Sequence, residues 1–140
     1  LGATGMSRKT LDVTAPESSF IWGKEVLSPC SGTVVWSRDG IVDEVGRDPV
    51  TPAGNVLAIA CEGVIVYLAH FRRGTVQVGE GATVVTGQLL GEIGASGNTG
   101  GPHLHIHAEE PPFAGEFSKN NGVAMMFDGR YLWRPRVFSD

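Results

Sequence analysis

Apolar and polar positions alternate along this chain with a period of two, the signature of strands with one buried face. Leu11 and Val13 alternate with Thr10, Asp12 and Thr14, predicting a short strand over residues 9–15 with Asp12 on its polar face; Pro16 ends it. Residues 26–36 read as a strand, a turn at Pro29–Gly32 and a second strand. Residues 55–60 and 63–69 are two apolar strands joined at Glu62-Gly63, a hairpin closed by His70. Residues 75–78, Val84-Val85 and residues 89–93 predict further short strands, separated by glycine turns. His103, His105 and His107 then alternate with Leu104 and Ile106, which puts three imidazoles on one face and two aliphatic side chains on the other. Glu109-Glu110-Pro111-Pro112 is expected to break the sheet, and residues 123–127 and 130–133 around Asp128-Gly129 predict a terminal hairpin. No segment carries a 3.6-residue apolar stripe. The pattern predicts an all-β fold of two sheets, of the barrel-sandwich or duplicated-hybrid type.

Composition narrows this little. A length of 140 residues suits a single domain with one core, and 20 glycines favour turns and short strands. A net charge of −4 gives no nucleic-acid footprint, and no run of residues is long and apolar enough to predict a membrane span. The first residue is Leu rather than Met, as expected of a mature form or a fragment whose leader lies outside the sequence. Cys30 and Cys61 follow no metal-site spacing; one disulfide or two small core thiols fit them equally.

The candidate chemistry sits in one stretch. Three of the four histidines fall between positions 103 and 107, behind the glycine-rich run Gly97-Asn98-Thr99-Gly100-Gly101-Pro102. Imidazole is a common zinc ligand and the usual acid–base group near neutral pH. A plain polar strand face accounts for the same residues. Asp12 reads equally as a turn cap, His70 as a strand-end histidine bonded to backbone, and Arg72-Arg73 as a solvated pair. Trp22, Trp36 and Trp133 read as packing residues.

Four stretches resemble the LytM/lysostaphin-type zinc endopeptidases, which cut the peptides of peptidoglycan. They are Leu27-Ser-Pro-Cys-Ser-Gly-Thr-Val-Val35; Gly54-Asn55-Val56 with Val66-Tyr67-Leu68-Ala69-His70; the glycine rhythm from Val78-Gly79 through Gly87-Gln88 to Gly91; and Gly97 through His103-Leu104-His105. The resemblance implies a single domain over residues 1–140, with a core at about 9–110 and a C-terminal hairpin extension at 111–140. It implies Zn²⁺ as cofactor, a peptidoglycan peptide as partner and substrate, and an extracytoplasmic location. It assigns Asp12 and His105 as metal ligands, and His70 and His103 as catalytic groups that polarise the attacking water and stabilise the oxyanion. The groove would be floored by the strands carrying these residues and walled by the 41–54 loop and the 109–122 segment.

One departure accompanies the match. Arg8 stands where the short form of the family's N-terminal motif places its histidine ligand, and no histidine precedes His70. A guanidinium has no lone pair to offer. The chain by itself is therefore expected to bind zinc weakly, with the further ligand upstream of Leu1. His107 is expected to serve as a supporting group, and as substitute ligand if stoichiometric zinc binds. The alternative to an enzyme is a catalytically silent module of the same fold that binds peptidoglycan or a protein partner. A biotinyl-like carrier or a phosphotransfer domain is a third class; it lacks a lysine at a hairpin tip, and the His-x-His pattern behind glycines favours the peptidase.

Overall fold

The computed structural model describes residues 19–116 and the strand positions 122–123, 126–127 and 130–131. Arg8, Asp12 with the 9–15 strand, and Trp133 lie outside the described residues. Among the described residues ten strands run in order: β1 (Glu25–Leu27), β2 (Gly32–Arg38), β3 (Asn55–Cys61), β4 (Val64–Phe71), β5 (Thr83–Val84), β6 (Leu89–Glu92), β7 (His105–Glu109), β8 (Gly122–Val123), β9 (Met126–Phe127) and β10 (Arg130–Tyr131). One sheet has six strands in the order β5-β2-β3-β4-β7-β8; β1 and β6 form a ribbon, and β9 and β10 the expected terminal hairpin. All pairings are antiparallel.

The period-two pattern divides the large sheet into two faces. Val34, Leu57, Ile59 and Leu68 point to the main core, where Val26 and Leu90 of the β1–β6 ribbon meet them. Leu104 and Ile106 pack against this core, as their alternation with the histidines requires. The opposite face carries Ala58, Ile65 and Tyr67, with Trp36 and Phe113 against them. A disulfide between Cys30 and Cys61 spans 31 residues of sequence with 6.0 Å between Cα atoms, which decides the question the spacing left open.

Two expectations are corrected. Residues 75–78 alternate but form no strand: Val76 and Val78 pack on the core, while the backbone is tied to β6 by a single bond, Gln77 N–H donating to Leu90 O at 2.9 Å. And β7 runs through Glu109, paired with Ile65 and Gly122, so the break falls at Glu110 and not at the first glutamate.

Candidate active site

β7 lies beside β4 with His105 opposite Ala69 and His107 opposite Tyr67. Side chains directly opposite one another share a face, so His105 and His107 stand on the sheet face away from the main core. His70 reaches the same place by a different device. Along β4, Leu68 points to the core, and strict alternation would send His70 there and Phe71 to the far face. Instead Phe71 is a core residue. The register shifts between Asn55 and Val56, which pair with Phe71 and Ala69, so His70 is the extra residue of a bulge. Its φ is 69°, the only positive φ at a non-glycine among the described residues. A left-handed backbone at a side-chain-bearing residue costs about 1–2 kcal/mol, and the surroundings hold it in place. His70 N–H donates to Ala53 O at 3.0 Å, and its carbonyl accepts from Gly94 N–H at 3.1 Å.

The bulge aims the His70 ring at the histidine strand. Ring centroids are 4.6 Å apart for His70 and His103, 5.9 Å for His70 and His105, and 5.0 Å for His105 and His107. The hydrogen-bond partners then assign protons. His70 Nδ1 lies 2.7 Å from Ser96 O; a carbonyl only accepts, so Nδ1 carries the hydrogen and Nε2 the lone pair in the neutral ring. Ser96 is itself buried and fixed, its hydroxyl accepting from Asn55 N–H at 3.0 Å and donating to Phe71 O at 2.6 Å. His103 follows the same rule, with Nδ1 2.9 Å from Gly101 O and 3.0 Å from Thr99 Oγ1. His105 Nε2 lies 2.8 Å from His107 Nδ1, and His107 Nε2 lies 2.9 Å from Glu109 Oε2.

The glycine loop that precedes β7 is pinned to the 41–54 wall. Asp43 bridges to Ser96 and Gly46 to Thr99, and Asp43 accepts from the amides of Arg73 and Ala95 at 2.8 and 2.9 Å. Gly54 (φ 63°) and Gly97 (φ 81°) cross so closely that a Cβ on either would overlap the other's neighbourhood, so both the conformation and the space call for glycine. On the other side, the 110–116 segment folds back over the site's face. Glu116 accepts from Arg38 Nη1 and Nη2, each at 2.9 Å, and from Ala53 N–H at 2.6 Å. Tyr67 OH donates to Gly115 O at 3.1 Å.

His70, His103, His105 and His107 are thus brought together as expected, and only Asp12 cannot be placed with them. Sequence reasoning missed Glu109, which continues the His-x-His-x-His phase by one more step, and Tyr67, on whose ring His107 stacks. Arg72 is not simply solvated: it pairs with Glu92 at 2.9 Å, and its guanidinium lies 5.2 Å from the Trp22 ring centroid. The donors fit zinc in kind, since neutral imidazoles whose other N–H is held by the protein are the usual form of histidine ligand. Among the described residues no group of three His, Cys, Asp or Glu is arranged to hold an ion unaided.

A family model for peptidase family M23 matches residues 8–118. The chain belongs to peptidase family M23. Solved structures share the fold of this M23 domain. A mutant catalytic domain of the prophage-encoded M23 protein EnpA from Enterococcus faecalis superposes with a TM-score of 0.55 at 18% identity, covering 73% of this chain and 67% of that one. A zinc-containing peptidase from Vibrio cholerae gives 0.53 at 26% identity, over 76% of this chain and 26% of that one. The antimicrobial peptidase lysostaphin from Staphylococcus simulans gives 0.51 at 24%, over 66% and 35%. The M23 domain thus spans about a quarter of the Vibrio protein and about a third of lysostaphin. No curated protein sequence matches it significantly.

Proposed function

We propose that this M23 domain is a zinc-dependent endopeptidase that cleaves peptide bonds in the stems or cross-bridges of peptidoglycan, outside the cytoplasm. Membership of the family supports a peptidase, and the 26% identical zinc-containing peptidase supports the metal. The Cys30–Cys61 disulfide fits an oxidising compartment.

The observation that carries the reading is the proton assignment at His70 and His103. Each gives Nδ1–H to a backbone carbonyl, which puts the lone pair of each neutral ring on Nε2, and the two ring centroids lie 4.6 Å apart. One such nitrogen takes the proton of the attacking water, and an imidazolium so formed returns it to the leaving amine nitrogen. Bound zinc would supply Lewis acidity to the scissile carbonyl and the water. His105 and Asp12 are the ligands in this reading, with His105 ligating through Nδ1 because Nε2 faces His107. The 41–54 loop and the 110–116 segment flank the site and orient an extended peptide between them.

In the full-length protein, His105→Ala should abolish zinc retention, read by elemental analysis. His70→Ala and His103→Ala should keep zinc and lose about 10²–10⁴ in the rate of peptidoglycan cleavage. Unchanged metal content in His105→Ala removes the ligand assignment, and metal loss confined to His103→Ala reverses the roles. Absence of both zinc and cleavage, in this chain and in one carrying its natural upstream sequence, leaves the silent binding module.

A further inference from the structure

β7 carries a second set of groups that the reaction does not use directly. His107 Nδ1 is 2.8 Å from His105 Nε2, His107 Nε2 is 2.9 Å from Glu109 Oε2, and Glu109 is only 5% exposed. The three residues form an unbroken line along one strand face. We propose that Glu109 and His107 are positioning residues that fix His105 in the Nε2–H tautomer, the one whose Nδ1 lone pair can ligate a metal. Its bearing on metal binding rests on the zinc reading above; the tautomer does not.

Hydrogen-bond roles give the direction of the relay. A carboxylate has no hydrogen to give, so Glu109 accepts, and His107 Nε2 carries the hydrogen. The neutral His107 ring then has its lone pair on Nδ1, where it accepts from His105 Nε2–H. Nδ1 of His105 is left as the unprotonated nitrogen. Run the other way, with an imidazolium at His107 donating to His105 Nε2, the hydrogen of His105 moves to Nδ1 and the ligating lone pair is gone. Which end is the acceptor therefore decides whether His105 can bind a metal through Nδ1, and Glu109 holds the acceptor end.

The geometry around the line keeps it straight. His107 stacks on Tyr67 with centroids 4.6 Å apart and planes 8° from parallel, which fixes the ring that passes the bond on. Tyr67 is itself buried and tied through its hydroxyl to Gly115 O. Opposite His105 stands Ala69, whose methyl leaves the imidazole room to lie edge-on to His107, the two ring planes meeting at 89°. A carboxylate placed beside a ligating histidine is the common arrangement around protein-bound metals; here an imidazole is interposed, and the carboxylate acts from four residues away.

The test uses the whole chain, ¹⁵N-labelled at histidine and free of metal, with two-bond ¹H–¹⁵N correlation reading the tautomers. His105 and His107 should both appear as Nε2–H forms, and an Nδ1–H form of His105 overturns the proposal without any substitution. Glu109→Ala should redistribute both rings between tautomers; unchanged spectra in a folded variant also overturn it. His107→Asn places a side-chain oxygen where Nδ1 stood. It should hold His105 as Nε2–H, whereas His107→Ala should not, a rescue that packing alone does not give. Zn²⁺ titration against a chelator should then show affinity reduced about 10–100-fold in Glu109→Ala and His107→Ala. Correct tautomers in a protein that binds no Zn²⁺ leave the relay standing and remove the zinc reading. Zn²⁺ bound equally by the wild type and by Glu109→Ala, His107→Ala and His107→Asn removes the relay's bearing on metal binding and leaves the zinc reading.

Discussion

His70 combines an unfavourable backbone with a favourable side chain, and the two can be separated by substitution. Alanine removes the imidazole and keeps the strain of a φ of 69°; glycine removes both. His70→Gly should therefore be more stable than His70→Ala by about 1 kcal/mol, measured by denaturant unfolding, although both lose the ring. Equal stabilities would mean that the bulge relaxes once the ring is gone. This residue also marks a limit of sequence reading. Alternation placed His70 at the end of a strand, correctly, but a period of two has no way to signal an inserted residue, and the bulge is what turns the ring toward His103. Glu109 was legible and passed over, because Glu-Glu-Pro-Pro reads as a break and the proline signal outweighed the phase.

The 110–116 segment is held as an element rather than by any one contact. Phe113 lies 5.4 Å from the Trp36 ring and 5.9 Å from Tyr67, and Glu116 clamps Arg38 and Ala53 N–H. Burial raises the Glu116 carboxyl, but the hydrogen bonds from Arg38 and Ala53 outweigh it and hold the group below its ordinary value of 4.5. A carboxyl lowered in the folded state contributes stability above its unfolded pKa and loses it as pH falls through the folded one. Asp48 in the opposite wall, lowered by the hydroxyl and amide of Thr51, has the same sign. The protein should therefore lose stability on acidification below about pH 4.5. Glu116→Gln should flatten that loss, read as denaturant midpoints on either side of the transition. An undiminished acid response in the variant would place the sensitivity elsewhere. The segment was expected as a groove wall, but its partner Arg38 could not be read, since it lies 78 positions away and reads as an ordinary strand-end arginine.

In the molecule as a whole, the two-sheet arrangement and the gathering of four histidines followed from periodicity and from the family resemblance. The disulfide did not, because two cysteines 31 residues apart carry no information about compartment or distance until β2 and β3 are paired. Closing a loop of that length restricts the unfolded chain by about 3–4 kcal/mol. Reduction should lower the unfolding free energy by about that amount, and a reduced protein as stable as the oxidised one would show that the denatured chain is already compact.

β7 makes its own pairing error costly. Its odd positions carry two imidazoles and a carboxylate, while Ile106 at an even position, with Leu104 just before the strand, packs against the core. A slip of one residue against β4 exchanges the two sets at once. It would press two imidazoles and a glutamate onto Leu68 and Phe71 and turn the aliphatic side chain of Ile106 out to water. Each mismatch costs desolvation on one side and lost burial on the other. The sequence that supplies the site's chemistry thus also discriminates against misfolded registers, so a chain that closes its sheet wrongly is rejected by the same side chains that would have done the work.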